Sequence, residues 1–368
     1  MKYVLFQLFL LVGLVISTPA PRQSRHSSEL PRLVLYHQTT HDSKGRPVSI
    51  LPLVTKKHIA LTHLIVAAFH VRPSNSSSSS SIRLNDHPST TRRFSTLWNE
   101  TRILQSAGIK VMGMVGGAAP GSFTAQTLDG DIATFERAYS RLASAIRAHR
   151  LDGMDLDVEQ PMSQAGIARL VRRLRADFGP RFLITLAPVT SALHGQPRDG
   201  RTLHRNLSGF DYLVLERDVG DVIAFYNAQF YSGFGDLRST RDFDRAVAAG
   251  WEPARIVAGQ LTAAAHGSGG GAGFITFSQL NQTVQALMNR YGEIGGIMGW
   301  EYFNSDPDGE RAPWRWAQIM TQILRPDAVP TLAITAATAE VLRQAWLVSS
   351  MADASTALNV DYLSMVNA

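Results

Sequence analysis

The sequence predicts an α/β fold, a (β/α)8 TIM barrel with a short helical C-terminal tail, from three features. Eight short apolar segments recur along the chain, most of them separated by stretches of helical periodicity. Those segments are near-continuous in aliphatic residues, as strands covered by helices must be. A length of 368 residues holds one such barrel, and a hydrophobic fraction of 45% suffices for its core. In that architecture the functional site lies where the strands end.

Leu33 to Tyr36 forms the first strand and runs into His37, Gln38, Thr39 and Thr40. His37 and His41 are four residues apart, but a strand-to-loop transition does not align two ligands at that spacing, so they read as loop histidines and no metal is expected. Leu61 to Val71 forms the second strand, followed by Asn75 and the low-complexity run Ser76 to Ser81, to which no chemistry is assigned. A helix over Phe94 to Ala107 precedes the third strand, Ile109 to Val115, which ends in Gly116 and Gly117. Phe135, Tyr139, Leu142 and Ile146 stripe a helix over Asp131 to His149. Ile167, Leu170, Val171, Leu174 and Phe178 stripe the next, which Gly179-Pro180 stops.

The fifth strand is Phe182 to Ala187, and residues 206–224 read as an irregular connection. Phe225 to Tyr231 and Arg255 to Leu261 supply strands six and seven. The glycine-rich loop Gly267 to Gly273 formally fits a nucleotide-type pattern but lacks the residues that accompany one, so it reads as flexible. A helix near Leu280 to Tyr291, strand eight over Gly295 to Tyr302 and a helix over Pro313 to Leu324 close the ring. Beyond Pro330, Val341, Leu342, Ala345 and Trp346 line one side of a helical tail expected to pack on the barrel.

Strand four stands apart. Leu151 to Gln160 reads Leu-Asp-Gly-Met-Asp-Leu-Asp-Val-Glu-Gln. A period of two sends Asp155, Asp157 and Glu159 to one face and Met154, Leu156 and Val158 to the other. Crowded carboxylates cannot all ionise freely, so at least one should hold its proton to higher pH, as a general acid requires. A calcium loop would interleave glycine and asparagine rather than Met, Leu and Val.

Asp152, Asp155, Asp157 and Glu159 reproduce without substitution the Asp-x-x-Asp-x-Asp-x-Glu of glycoside hydrolase family 18, and the chain from about Pro31 to Arg325 resembles that family. The resemblance implies that Glu159 is the general acid, that Asp157 orients the substrate's acetamido group and that Asp155 shares a proton with Asp157. Asp152 is then structural. Gln229-Phe230-Tyr231-Ser232 resembles the family's Gln-x-Tyr-Asn, which makes Tyr231 the hydroxyl supporting the acetamido group, with Gln229 beside it. Gly295 to Trp300 resembles Gly-Gly-x-Met-x-Trp and makes Trp300 the floor under the sugar. Tyr36, Gln38 and Phe69 fall where the family lines its pocket. The third-strand serine of the family is replaced by Met114.

The implied activity is hydrolysis of β-1,4-linked N-acetylglucosamine in chitin or chito-oligosaccharides, with retention and attack by the substrate's own acetamido oxygen. An endo-β-N-acetylglucosaminidase acting on N-glycans and a non-catalytic chitin-binding lectin are the alternatives. Intact Asp157 and Glu159 speak against the lectin. Too few residues separate strands seven and eight for the α+β domain that some members insert, which points to the short plant and fungal branch and a shallow groove.

Composition narrows partners and location. Lys2, the apolar run Tyr3 to Ile16 and Ser17 to Ala20 read as a signal peptide over residues 1–20, so a secreted, extracellular protein is expected, with a linker over 21–31, the barrel over 32–325 and the tail over 326–368. Sequons at Asn75, Asn99, Asn206 and Asn281 fit a glycoprotein. No later segment reaches transmembrane length, and the run near the start is too short to span a bilayer. The formal charge of +6 is dispersed, much of it in Arg169, Arg172, Arg173 and Arg175 on one helix, so nucleic acid is not an expected partner. There is no cysteine, hence no disulfide and no thiolate chemistry. A monomer without cofactor is expected.

Overall fold

The computed structural model describes residues 30–73, 82–194, 206–267, 272–328, 330 and 334–352. The expected signal peptide, most of the linker, Asn75 with its serine run and the middle of the glycine-rich loop lie outside the described residues.

Eight parallel strands close on themselves: β1 (Arg32–His37), β2 (His63–His70), β3 (Lys110–Gly116), β4 (Gly153–Asp157), β5 (Leu183–Leu186), β6 (Phe225–Gln229), β7 (Ile256–Leu261) and β8 (Gly296–Trp300). β1 pairs with both β2 and β8, so the barrel has no free edge. Two short antiparallel pieces, Arg83–Leu84 and His87–Pro88, extend β2 at its far end.

Alternation along each strand divides the core. Leu33 and Leu35 on β1 join the large shell between strands and helices, whereas Val34 and Tyr36 join a smaller interior cluster with Ile65, Met112, Met114, Phe225, Val257 and Met298. Burial of each large aliphatic side chain contributes roughly 1.5–3 kcal/mol, so this division fixes strand register strongly.

Besides a single turn at Pro52–Thr55, the helices of eight residues or more are α1 (Ser95–Ser106), α2 (Ile132–Ala148), α3 (Gln164–Phe178), α4 (Tyr212–Val219), α5 (Arg241–Ala248), α6 (Phe277–Tyr291), α7 (Trp314–Leu324) and α8 (Ala336–Ala352). Side chains cap several of them: Asp131 accepts from the Thr134 N–H and Ser163 from the Gly166 N–H. The stretch 206–224 is not irregular. Asp211 caps α4 through the N–H groups of Leu213 and Val214, and Tyr212, Leu215 and Val219 are buried. α5 is a second short helix, buried through Phe243 and Ala246, that the sequence pattern does not announce. Between β7 and β8 the described residues hold α6 and short turns, with no inserted domain.

α8 packs against α1, with Ala339 buried and Leu342 half-buried on the core. Val341 is 67% exposed, contrary to the apolar side expected for it. The side chains of Ala345 and Trp346 lie outside the described residues. Asn99 sits within α1 and is 5% exposed, so its sequon cannot carry a glycan in the folded chain. The Asn206 side chain bonds to Phe210 and Ser208, and Asn281 is exposed on α6.

Candidate active site

The acidic row lies at the C-terminal end of β4. Met154, Leu156 and Val158 join the outer shell, which turns Asp155 and Asp157 inward and leaves Glu159 just beyond the strand end. β3 approaches closely here: a Cβ on Gly116, whose φ is 109°, would stand 2.1 Å from the Asp157 carbonyl oxygen. Asp152 holds the strand's other end, accepting from the Val111 N–H at 2.8 Å and the Gln105 side chain at 2.8 Å.

Asp155 is fully buried and accepts three hydrogen bonds, from the Tyr36 hydroxyl at 2.7 Å, the Thr185 hydroxyl at 2.5 Å and the Asn227 amide at 3.0 Å. Burial raises its pKa, and these donors oppose the rise. Asp157, at 5% exposure, is pushed well above the ordinary carboxylate range by burial, then by the charges of Glu159 and Asp155. Glu159 is raised by burial and held back by hydrogen bonds from Gln229 and Asp157. Burial and mutual repulsion thus let the Asp157–Glu159 pair keep a proton to higher pH than free carboxylates would. Asp155, which the family resemblance makes the partner in Asp157's proton, lies on the other side of Asp157 and also raises its pKa through its charge.

Gln229 links the two acids. Its Nε2 lies 3.1 Å from Asp157 Oδ1, 3.2 Å from Glu159 Oε1 and 3.1 Å from the Ala187 carbonyl, so two N–H hydrogens serve three acceptors. Tyr231 follows β6, is 7% exposed, and is raised well above the ordinary phenol value by burial and by Asp157, Glu159 and Asp155. Its hydroxyl stays protonated and available as a donor. Trp300 ends β8 half-buried on the interior cluster, its ring 5.4 Å from that of Tyr36. Gln38 is half-buried at the same rim, its backbone fixed by Glu301 and Asn85.

Phe69 is not at the site. β2 carries an extra residue relative to β3 between Val66 and Phe69, which puts both Ala67 and Ala68 inside and turns Phe69 outward, against Trp98 and His149. His37 also faces the outer layer, against Tyr302, with both ring nitrogens unbonded and a pKa lowered by burial to about 3. Among the described residues no group of three or more His, Cys, Asp or Glu could hold a metal.

Thr185, Asn227 and Glu301 were not singled out from the sequence. The first two had a signal: each is a polar residue at an inward position of an otherwise apolar strand, and such a group needs a partner.

The model of the family described as glycosyl hydrolases family 18 matches residues 32–231. The chain belongs to this family. The match spans β1 to β6 and all the inward acids of this family 18 site. Chitinase 1 of Rhizopus niveus is 27% identical over 218 residues, which is 56% of this chain and 40% of that protein, so the chain spans less than half of that relative. A solved fungal endo-β-N-acetylglucosaminidase of family 18 is 58% identical, with a TM-score of 0.75, covering 81% of this chain and 100% of its own. Chitinase ChiC of Aspergillus fumigatus is 45% identical, with a TM-score of 0.68, covering 79% and 98%.

Proposed function

We propose that this family 18 chain is a secreted, endo-acting hydrolase of the β-1,4 bond between two N-acetylglucosamine residues, working with retention by substrate assistance. The carrying observation is the inward acidic row at the end of β4, where Gln229 Nε2 lies 3.1 Å from Asp157 and 3.2 Å from Glu159 and both acids are held above the ordinary carboxylate range by burial. Glu159 protonates the glycosidic oxygen as the bond breaks, while the acetamido oxygen of the sugar attacks the anomeric carbon and forms an oxazolinium ion. Asp157 accepts a hydrogen bond from the acetamido N–H and, with Asp155 behind it, stabilises the developing positive charge. Tyr231 donates to the acetamido oxygen and Trp300 carries the apolar sugar face. Glu159, now a base, then activates the water that opens the ring.

The core of N-glycans is the favoured substrate, because the 58% identity to an endo-β-N-acetylglucosaminidase covers that whole chain. Chitin is the second reading, supported by the 45% identity to a chitinase. Incubation with a high-mannose glycoprotein and with chitin oligomers separates them: glycan release supports the first, oligomer cleavage the second. Sugar binding without either would leave a lectin and overturn the proposal.

A further inference from the structure

One buried carboxylate at the mouth has no part in that chemistry. Glu301 directly follows Trp300 and is 5% exposed. Its Oε2 accepts from the N–H groups of Gln38 at 2.9 Å and Thr39 at 2.7 Å, and its Oε1 from the Thr39 hydroxyl at 2.6 Å. An anion removed from water needs such donors, and here all three come from the segment leaving β1.

The peptide groups around Glu301 are held just as closely by Thr262, just past the end of β7, and by Ser305. The Trp300 carbonyl accepts from the Thr262 N–H at 2.8 Å, and the Glu301 carbonyl accepts from the hydroxyls of Thr262 and Ser305. The Glu301 N–H points at His266 Nδ1, 3.3 Å away, and His266 Nε2 is bonded to Asn304 Oδ1, which fits the tautomer with its hydrogen on Nε2. On the other flank, Asn85 donates to the Gln38 carbonyl at 2.9 Å and accepts from the Ala68 N–H at 3.1 Å.

We propose that Glu301 is a positioning residue that clamps the Gln38–Thr39 exit of β1 to the Trp300 end of β8, so that the indole and the Tyr36–Gln38 segment meet the sugar as one rigid platform. The proposal rests on the reading of Trp300 as sugar-facing. A carboxylate accepts at both oxygens with charge assistance; a carboxamide would keep one oxygen for the two N–H groups, lose that assistance and force the Thr39 hydroxyl to switch from donor to acceptor.

The test uses Glu301→Gln, Glu301→Asp and Thr39→Val in the full chain, read two ways. In the free protein, amide hydrogen exchange at Gln38 and Thr39 should quicken by about tenfold or more in Glu301→Gln, with β4 to β6 unchanged, as local opening requires. On a cleaved glycan, KM should rise by roughly three- to tenfold while the pH profile of kcat stays put, because ground-state and transition-state binding are lost together. Glu301→Asp should recover part of the effect, and Thr39→Val, which removes one bond and spares the fold should Glu301→Gln fail to fold, should move both readouts less in the same direction. Unchanged exchange at Gln38 and Thr39, uniformly faster exchange around the barrel, or a displaced pH profile of kcat would overturn the clamp. Exchange needs no substrate, so it decides the clamp even if no glycan is cleaved, an outcome that would sink the functional reading alone.

Discussion

Between α2 and α3, on the outside of the barrel, Arg173 faces Glu136 and Asp177, and Arg147 lies 3.5 Å from Asp177. Nearby, Arg172 pairs with Asp218. Inside, Asp155, Asp157 and Glu159 form no ion pair among the described residues and take their hydrogen bonds from a phenol, an alcohol, two amides and one another. The two regions hold similar numbers of carboxylates and differ in what surrounds them. A guanidinium would lock an acid in its ionised form, whereas burial among neutral donors lets one proton stay where it can be passed on. The outer acids are solvated and add little to stability; the inner ones cost stability and keep a proton.

The sharpest way to break this contrast is to take the transferable proton from the inner set. Glu159→Gln keeps shape and loses only the acid, so turnover should fall by roughly 10²–10⁴-fold with sugar binding intact. Near-normal turnover in a glycan-release assay would remove Glu159 from the role of acid.

Asp157→Asn should lower the rate by about two to four orders of magnitude while raising the thermal midpoint at neutral pH, because it deletes a buried group whose ionisation opposes folding. A rate loss with a lowered midpoint would mean that Asp157 is held for structure. Trp300→Ala should weaken glycan binding about tenfold and reduce turnover as well, since an aromatic floor contributes on the order of 1 kcal/mol or more. Unchanged KM and kcat would put Trp300 in the core.

The pH dependence of folding sharpens the same contrast. Asp155, Asp157 and Glu159 have raised pKa values in the folded state, so the folded chain binds more protons than the unfolded one. Their contribution is fully present below the unfolded carboxylate value of about 4 and is lost as pH rises through the folded values. His37 and His149, buried and lowered to about 3 and about 4, act in the opposite sense. They favour the fold above an ordinary value of about 6.5, and that contribution is lost as pH falls toward the folded values. Urea midpoints across this range should therefore fall less steeply with rising pH in Asp157→Asn than in the parent. The smallest effect belongs to the outer region: Arg172→Ala should change stability by no more than about 1 kcal/mol, and less at high salt.

The ring of strands and the inward turn of Asp155 and Asp157 were legible because both follow from a period of two over long apolar runs. α4 and α5 were missed because eight residues give little more than two turns for a pattern to show. The surroundings of each acid were not legible. Asp155 and Glu159 are equally spaced from Asp157 along the chain, and only the closed ring brings Tyr36, Thr185 and Asn227 from three other strands onto Asp155. Glu301 gave no signal at all, since two of its three donors are backbone groups and all three converge on it only once the ring is closed.

The extra residue in β2 reaches further than the position of one phenylalanine. Deleting Ala67 or Ala68 would remove the bulge and restore strict alternation, with Phe69 still opposite Val115 and still outward. Counting by two from Val66 without allowing for that residue sends Phe69 into the pocket instead, so a homologue that lacks it keeps the same outer ring only when the gap is placed at Ala67 or Ala68. An alignment that sets the gap by matching apolar letters would assign the wrong side chain to the pocket, whatever its overall score.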